Sequence, residues 1–218
     1  RRPRSSPSLA RALLPTDQLA LYQTSHHGQQ VIWKDNEKAP TCATCHGVHD
    51  ILATSDPRSP VHRSKVASLC GGCHSDPAKI GRKELHKDQL SKWRTSAHGK
   101  ALLGGNLTAP ACPQCHGAHG AAPPAVGSVG QVCGTCHLSE LAAFDKGPHS
   151  KAFRKLGFAE CLPCHGSHEV QTVRPMSLGL LGSGAVCSNC HKGGGKPHDV
   201  ARRMTQLVQT AMGRAAKA

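Results

Sequence analysis

Cys42-Ala43-Thr44-Cys45-His46-Gly47-Val48-His49 places two thiols three residues apart, an imidazole directly after the second, and another imidazole three residues further on. The five-residue core recurs as Cys70-Gly71-Gly72-Cys73-His74, Cys112-Pro113-Gln114-Cys115-His116, Cys133-Gly134-Thr135-Cys136-His137, Cys161-Leu162-Pro163-Cys164-His165 and Cys187-Ser188-Asn189-Cys190-His191. These six copies use all 12 cysteines of the chain. Thiols at this spacing match the two vinyl-derived carbons on one edge of a porphyrin, and the following histidine is delivered to the iron on one face. The pattern is the c-type haem attachment signature, and histidine is the usual proximal haem ligand.

Structural zinc and redox dithiols also use paired cysteines, and the 17 residues between Cys115 and Cys133 fall within zinc-ribbon spacing. Neither explains why histidine follows the second cysteine in every copy. Six covalently bound haem c groups are therefore expected. Their cysteine anchors are Cys42, Cys45, Cys70, Cys73, Cys112, Cys115, Cys133, Cys136, Cys161, Cys164, Cys187 and Cys190, and their proximal ligands are His46, His74, His116, His137, His165 and His191.

Composition agrees with a chain that borrows its core. The 218 residues hold 3 Phe, 2 Trp and 1 Tyr against 23 Gly and 15 Pro, which without a cofactor approaches the disordered class. The porphyrins are expected to form the core, with the polypeptide as a thin wrapping and the apoprotein largely unfolded. The net charge of +14 first suggests nucleic acid. Two propionates on each of six haems nearly cancel it, and the stacking aromatics of a single-strand groove are scarce, so nucleic acid is not expected. No apolar run reaches the ~20 residues of a membrane span. Arg1-Arg2-Pro3-Arg4-Ser5-Ser6-Pro7 lacks the apolar stretch of a secretory signal. Since covalent haem attachment takes place beyond the cytoplasmic membrane, the expected location is the periplasmic or extracellular side of that membrane, with any signal or anchor outside this sequence.

A longer repeat surrounds the motifs. Leu14-Pro15-Thr16-Asp17-Gln18-Leu19-Ala20-Leu21-Tyr22-Gln23-Thr24-Ser25-His26-His27-Gly28 aligns at an offset of 71 with Leu85-His86-Lys87-Asp88-Gln89-Leu90-Ser91-Lys92-Trp93-Arg94-Thr95-Ser96-Ala97-His98-Gly99. A weaker copy runs through Leu141, Phe144 and His149 to Cys161. In each copy an aromatic precedes a histidine by five residues: Tyr22/His27, Trp93/His98 and Phe144/His149. A motif extended to Gly-x-His follows, ending at His49, His119 and His168, and a plain motif closes the unit. The expected organisation is a basic disordered leader at 1–13, dihaem modules at 14–82, 83–140 and 141–195, and a C-terminal amphipathic helix at 196–218. The aromatics are expected to pack within the core against haem.

Six irons need six distal partners, and the repeat supplies six: His27, His49, His98, His119, His149 and His168. His26, His62, His86 and His198 stand outside the pattern and are expected at the surface, with His62 and His198 as the first substitutes. The two axial ligands of one iron approach from opposite faces, and a two-residue link cannot pass around a porphyrin edge. His49, His119 and His168 must each serve an iron other than that of the histidine three residues earlier. Gly47, Gly117 and Gly166 allow the sharp turn between the two imidazoles; the plain motifs have Ser75, Leu138 and Lys192 there.

The fold class expected is mostly α with much irregular coil and little or no β: a haem-cored chain of three dihaem modules in a row. Short helices are expected from Thr16, as N-cap, and from Lys87 to the Thr-Ser pairs, over Leu138 to Asp145 and over Ser150 to Leu156. A longer one from about Pro197 to Ala215 carries Val200, Met204, Leu207, Val208, Ala211 and Met212 as an apolar stripe.

The Ser-x-His-Gly segment followed by Cys-x-x-Cys-His-Gly-x-His, as at Ser25–Gly28 and Ser96–Gly99, resembles multihaem c-type cytochromes of the doubled Cys-x-x-Cys-His kind, related to the cytochrome c3 and c554-like electron carriers. The likeness covers about Leu14 to His191. It implies haem pairs stacked alternately parallel and perpendicular, bis-histidine iron, low potentials and electron transfer outside the cytoplasm. The third module departs from it at Gly147-Pro148-His149-Ser150. The function expected is a hexahaem electron carrier in respiratory or extracellular electron transfer, not an enzyme. Its partners would be other redox proteins, subunits of a membrane-bound electron-transfer complex, or further copies of itself in a filament. The alternative is a multihaem oxidoreductase for a small nitrogen or sulfur oxyanion, which needs an open iron.

Overall fold

The computed structural model describes residues 16–80, 87–124, 128–172, 186–191 and 195–215. The basic leader expected at 1–13 and His86 lie outside the described residues. The chain is mostly helical and has no strand among the described residues. In chain order the helices are α1 (Gln18–Thr24), α2 (His26–Lys34), α3 (Cys42–His46), α4 (Val66–His74), α5 (Pro77–Ile80), α6 (Gln89–Thr95) and α7 (Ala97–Leu103). They continue as α8 (Cys112–His116), α9 (Val129–Gly134), α10 (Leu138–Lys146), α11 (Pro148–Leu156), α12 (Leu162–His165) and α13 (Lys196–Ala215), with a 3-10 turn at Val186–Asn189.

Contacts divide the chain into two compact units, Arg1–Leu85 with Pro110–Pro124 and His86–Ala109 with Ala125–Ala218. Each therefore holds three of the six motifs, a partition that cuts across the sequence repeat. In the first unit α1 packs on α2 and α4 packs on both α5 and α8. In the second, α6 packs on α7, α10 packs on α9 and α11, and α12 meets the 3-10 turn.

The repeat's first half is a tight pair of helices joined at a serine. Ser25 donates from its hydroxyl to the Tyr22 carbonyl at 2.7 Å and accepts from the Gly28 N–H at 3.0 Å. It closes α1 and caps α2 with one side chain. Ser96 does the same between α6 and α7, donating to the Trp93 carbonyl at 2.6 Å and accepting from the Gly99 N–H at 3.0 Å. Both serines are buried. The glycine is equally constrained, because a Cβ on Gly28 or Gly99 would land on the Tyr22 or Trp93 carbonyl oxygen. The third copy solves the joint differently. Gly147 caps α11 without a side chain, Pro148 opens that helix, and Ser150 takes the glycine's place. The Ser150 hydroxyl is buried with no hydrogen-bond partner among the described residues.

The helix starts need one correction. Thr16 is not the N-cap of α1; Asp17 is, its carbonyl accepting the Leu21 N–H at 2.9 Å, as Asp88 accepts that of Lys92 at 2.8 Å. The second helix of the first two pairs was not anticipated, since its short apolar content gives no periodic signal, whereas that of the third pair, expected over Ser150 to Leu156, is present as α11. The expected C-terminal helix is present as α13, with Val200 and Leu207 of its stripe exposed.

Protein side chains alone make a meagre core. The buried apolar residues are Val66, Ala67, Trp93, Leu102, Ala109, Ala111, Val129 and Phe153. Among the described residues the largest side chains that are fully buried are Ser59, Ser96 and Ser150, all serines, while Trp33 is 75% and Leu138 71% exposed. A normal domain buries its large aliphatics and leaves small polar groups outside.

Replacing Gly28 or Gly99 by Ala is expected to cost about 1–3 kcal/mol by forcing the paired helices apart, read as a lowered thermal midpoint of the intact protein. Gly213→Ala on α13, where an added Cβ meets nothing within 4 Å, should leave the midpoint unchanged or raise it.

Candidate metal centres

Each motif lies on or against a short helix, and for two of them the first turn is tied from within the motif. The Thr41 N–H donates to the Thr44 hydroxyl at 3.0 Å, and the Ala111 N–H to the Gln114 side-chain carbonyl at 2.7 Å. The x residues of the motif thus hold the helix start that aims both thiols. Gly47, Gly117 and Gly166 end these helices at φ of 82°, 77° and 72°, the left-handed region glycine tolerates best. The chain turns there before reaching His49, His119 and His168, as the spacing requires.

Four pairs of imidazoles result. His27, in the first turn of α2, faces His74 at the end of α4 with ring centroids 5.9 Å apart. His98, in the first turn of α7, faces His137 after α9 at 6.1 Å. His149, in the first turn of α11, faces His191 after the 3-10 turn at 6.0 Å. His119 faces His46, not His116, at 6.0 Å with ring planes only 9° apart. Every pair joins one motif histidine to one of the six non-motif histidines singled out by the repeat. A metal–imidazole nitrogen bond is about 2.0–2.1 Å, so two imidazoles on opposite faces of one iron have centroids about 6 Å apart. All four pairs have that separation.

Burial lowers the pKa of His27, His74 and His98 below the ordinary imidazole range, and a neighbouring imidazole adds to the effect: His74 for His27, His116 for His74 and His137 for His98. The rings are thus neutral at neutral pH, with a lone pair available to a metal. His116 donates from Nδ1 to the Ala122 carbonyl at 3.1 Å, which fixes the tautomer with its lone pair on Nε2.

The thiols follow the same order as the motifs. No cysteine is in a disulfide. In the first unit burial raises the Cys45 pKa, with Cys73 adding to it, and Cys70 shares a hydrogen bond with Cys112. That bond pushes the Cys70 thiol up and pulls Cys112 down to about 7. In the second unit burial pushes Cys161 up to about 11, with Cys133 next in effect, and raises Cys164, with Cys187 next. Successive motifs within each unit therefore lie within electrostatic reach of one another. An apolar cleft in the second unit is lined by Cys133, Cys161 and Cys164, by His137, His149 and His165, and by Phe144 and Phe153. Two carboxylates also line it, Glu140 and Glu160, and that of Glu160 accepts the Gly130 N–H at 2.7 Å. That carboxylate was not anticipated, as an isolated glutamate next to a motif gives no sequence signal.

These donors fit haem better than a bare ion. Among the described residues no group of three or more His, Cys, Asp or Glu is gathered around a common point, as tetrahedral zinc demands. Haem asks the protein for two trans ligands only, since the porphyrin supplies the other four, and the imidazole pairs offer those two.

The remaining histidines separate clearly. His26 is exposed beside His27 and faces no ring. His62 is buried and structural: its Nδ1 accepts the Ser64 N–H at 3.3 Å and lies 2.8 Å from the Ser64 hydroxyl. An accepting Nδ1 puts the proton on Nε2, the nitrogen a metal would need. His168 has its Nδ1 3.2 Å from the Ser167 hydroxyl. His49 and His165 are exposed and have no imidazole partner among the described residues. Of the three aromatics upstream, Trp93 is buried, the Tyr22 hydroxyl donates to the Pro40 carbonyl at 2.8 Å, and Phe144 packs on Phe153 with centroids 5.8 Å apart.

Among the described residues, no helix is long and apolar enough to cross a membrane. Compared with family models, curated proteins and solved structures, the chain matches none.

Proposed function

We propose that the chain is a hexahaem c-type cytochrome that carries electrons between redox partners on the periplasmic or extracellular side of the cytoplasmic membrane. The observation that carries this reading is the set of four imidazole pairs at trans-ligand separation, each joining a motif histidine to a histidine from elsewhere in the chain. Haem supplies a one-electron centre whose potential depends on its axial ligands and surroundings. The polypeptide does the rest. Its twelve thiols would anchor the groups, its paired imidazoles would supply the iron ligands, and its closely set motifs would keep successive anchors near one another. Filling both axial positions removes a site for substrate, which favours carriage over catalysis. The excess of 27 basic over 13 acidic residues offers partners to haem propionates.

Intact mass under denaturing conditions should give the polypeptide plus six covalently retained haems. Zinc, or fewer haems, would end the reading.

Ligand changes should be selective. His27→Ala, His98→Ala and His119→Ala are each expected to turn one of the six haems high-spin while all six stay attached. His26→Ala should leave the visible and paramagnetic resonance spectra unchanged. His62→Ala should leave them unchanged too, yet lower the thermal midpoint through loss of its buried bond to Ser64.

A further inference from the structure

Resting on the cytochrome reading, we infer that the Glu160 carboxylate is a fixed negative charge that lowers the reduction potential of the haem held by Cys161, Cys164 and His165. The carboxylate stands in the apolar cleft of the second unit, whose lining includes those three residues together with Cys133 and His137 of the preceding motif. Its place there is built from both sides. Glu160 directly precedes Cys161 in the chain, and its side chain accepts the buried Gly130 N–H at 2.7 Å. A Cβ on Gly130 would land on that carboxylate, so the lack of a side chain at 130 is what lets the charge sit against the backbone. One N–H bond directs a carboxylate without neutralising it. Among the described residues Glu160 is in no ion pair, whereas Asp145 on α10 is taken up by Arg154 at 2.7 Å.

The charge is felt at this motif. Burial pushes the Cys161 thiol up to about 11, and after Cys133 the Glu160 carboxylate adds to the rise. An anion that opposes a second negative charge favours a positive one in the same place. Oxidation of a haem adds one positive charge at the iron, and a carboxylate in an apolar cleft stabilises that form with little screening by salt. The oxidised state gains, reduction becomes harder, and the potential falls. Glu140 lines the same cleft but is exposed. Its carboxylate accepts the Ser139 hydroxyl at 2.7 Å, and water and ions screen it.

The motif from Cys161 to His165 is the middle one of its unit. Its helix α12 meets the 3-10 turn of the Cys187 motif, and it shares the cleft with the Cys133 motif. A centre that is harder to reduce passes an electron on instead of storing it, which suits a site between two others.

The test uses the purified holoprotein and a redox titration followed by NMR. Haem methyl signals report each centre separately, and contacts to Leu162 and Pro163 mark the one in question. Glu160→Gln keeps an acceptor for the Gly130 N–H and removes the charge. It should raise the midpoint potential of that haem more than of any other, leave the thermal midpoint where it was, and keep the shift at high salt. Glu160→Ala should raise the same potential and also lower the thermal midpoint. Glu140→Gln should move no potential by a comparable amount. Unchanged potentials in Glu160→Gln overturn the inference and leave a purely structural bond to Gly130. A larger rise at the Cys133 haem, a fall, or a shift that high salt abolishes overturns it too. Wild-type protein without six covalently held haems overturns the cytochrome reading and the inference with it, which intact mass tells apart.

Discussion

Two imidazoles three residues apart cannot reach opposite faces of one porphyrin, and on the cytochrome reading this constraint organises the rest of the molecule. It would force the Gly-x-His histidines to look beyond their own motif, so that ligation would tie together segments distant in sequence. His119 lies 73 residues beyond His46, and it is that pair, not His116 with His119, whose rings face each other. The three positive-φ glycines at the motif ends are the local expression of the same constraint, turning the chain away from the ring it has just anchored. On the cytochrome reading, such links do what long-range hydrophobic contacts do in an ordinary domain.

The paired helices show how a rigid ligand mount is built from few residues. A helix shorter than about 12–15 residues is marginal in water, and α1 and α2 have 7 and 9. The buried serine between them satisfies groups on both sides at once, and the glycine lets the second helix sit directly on the last carbonyls of the first. The distal histidine lies between these two residues, in the first turn of the second helix, where it has little freedom. The third copy keeps the histidine's place with different chemistry, using proline's fixed φ in place of the serine cap. There the aromatic cluster of Phe144, Phe153 and Phe158 braces the site, and His149 packs on Phe153.

The motifs stand out in the sequence because their spacing is the same in all six copies. The helical class was legible too, along with the short helices that precede the distal histidines. Which imidazole meets which was not, since that depends on how the irregular segments fold back. Between Ala53 and Lys65 the chain is a series of three-residue turns, with Ser59 bonding back to Asp56 and His62 back to Ser59. No periodic pattern announces such a path. His62 looked like a reserve ligand for the same reason: its identity is visible, but its tautomer depends on the Ser64 N–H. The serine of Ser-x-His-Gly was visible as a repeat, yet its double role appears only when Tyr22 and Gly28 are placed around it. Asp17 displaced Thr16 as the helix start because the backbone enters the helix one residue later, a shift that propensity does not resolve.

The inventory of buried groups bears on why such a chain would fold at all. Burial of apolar surface is the main favourable term in folding, and among the described residues few large apolar side chains are buried, Leu102, Trp93 and Phe153 among them, while Leu138, Leu207 and Trp33 lie open. Contacts this sparse offset little of the entropy of ordering the backbone. On the cytochrome reading, the exposed apolar side chains and the thiol-lined cleft would be covered by haem. Tethering each haem by two covalent bonds and an imidazole would make its burial local, so that each motif would fold around its own core fragment. The second imidazole would then join those fragments. On that reading stability and electron passage would rest on the same residues, because a histidine that fixed the fold would also set the centre it bound.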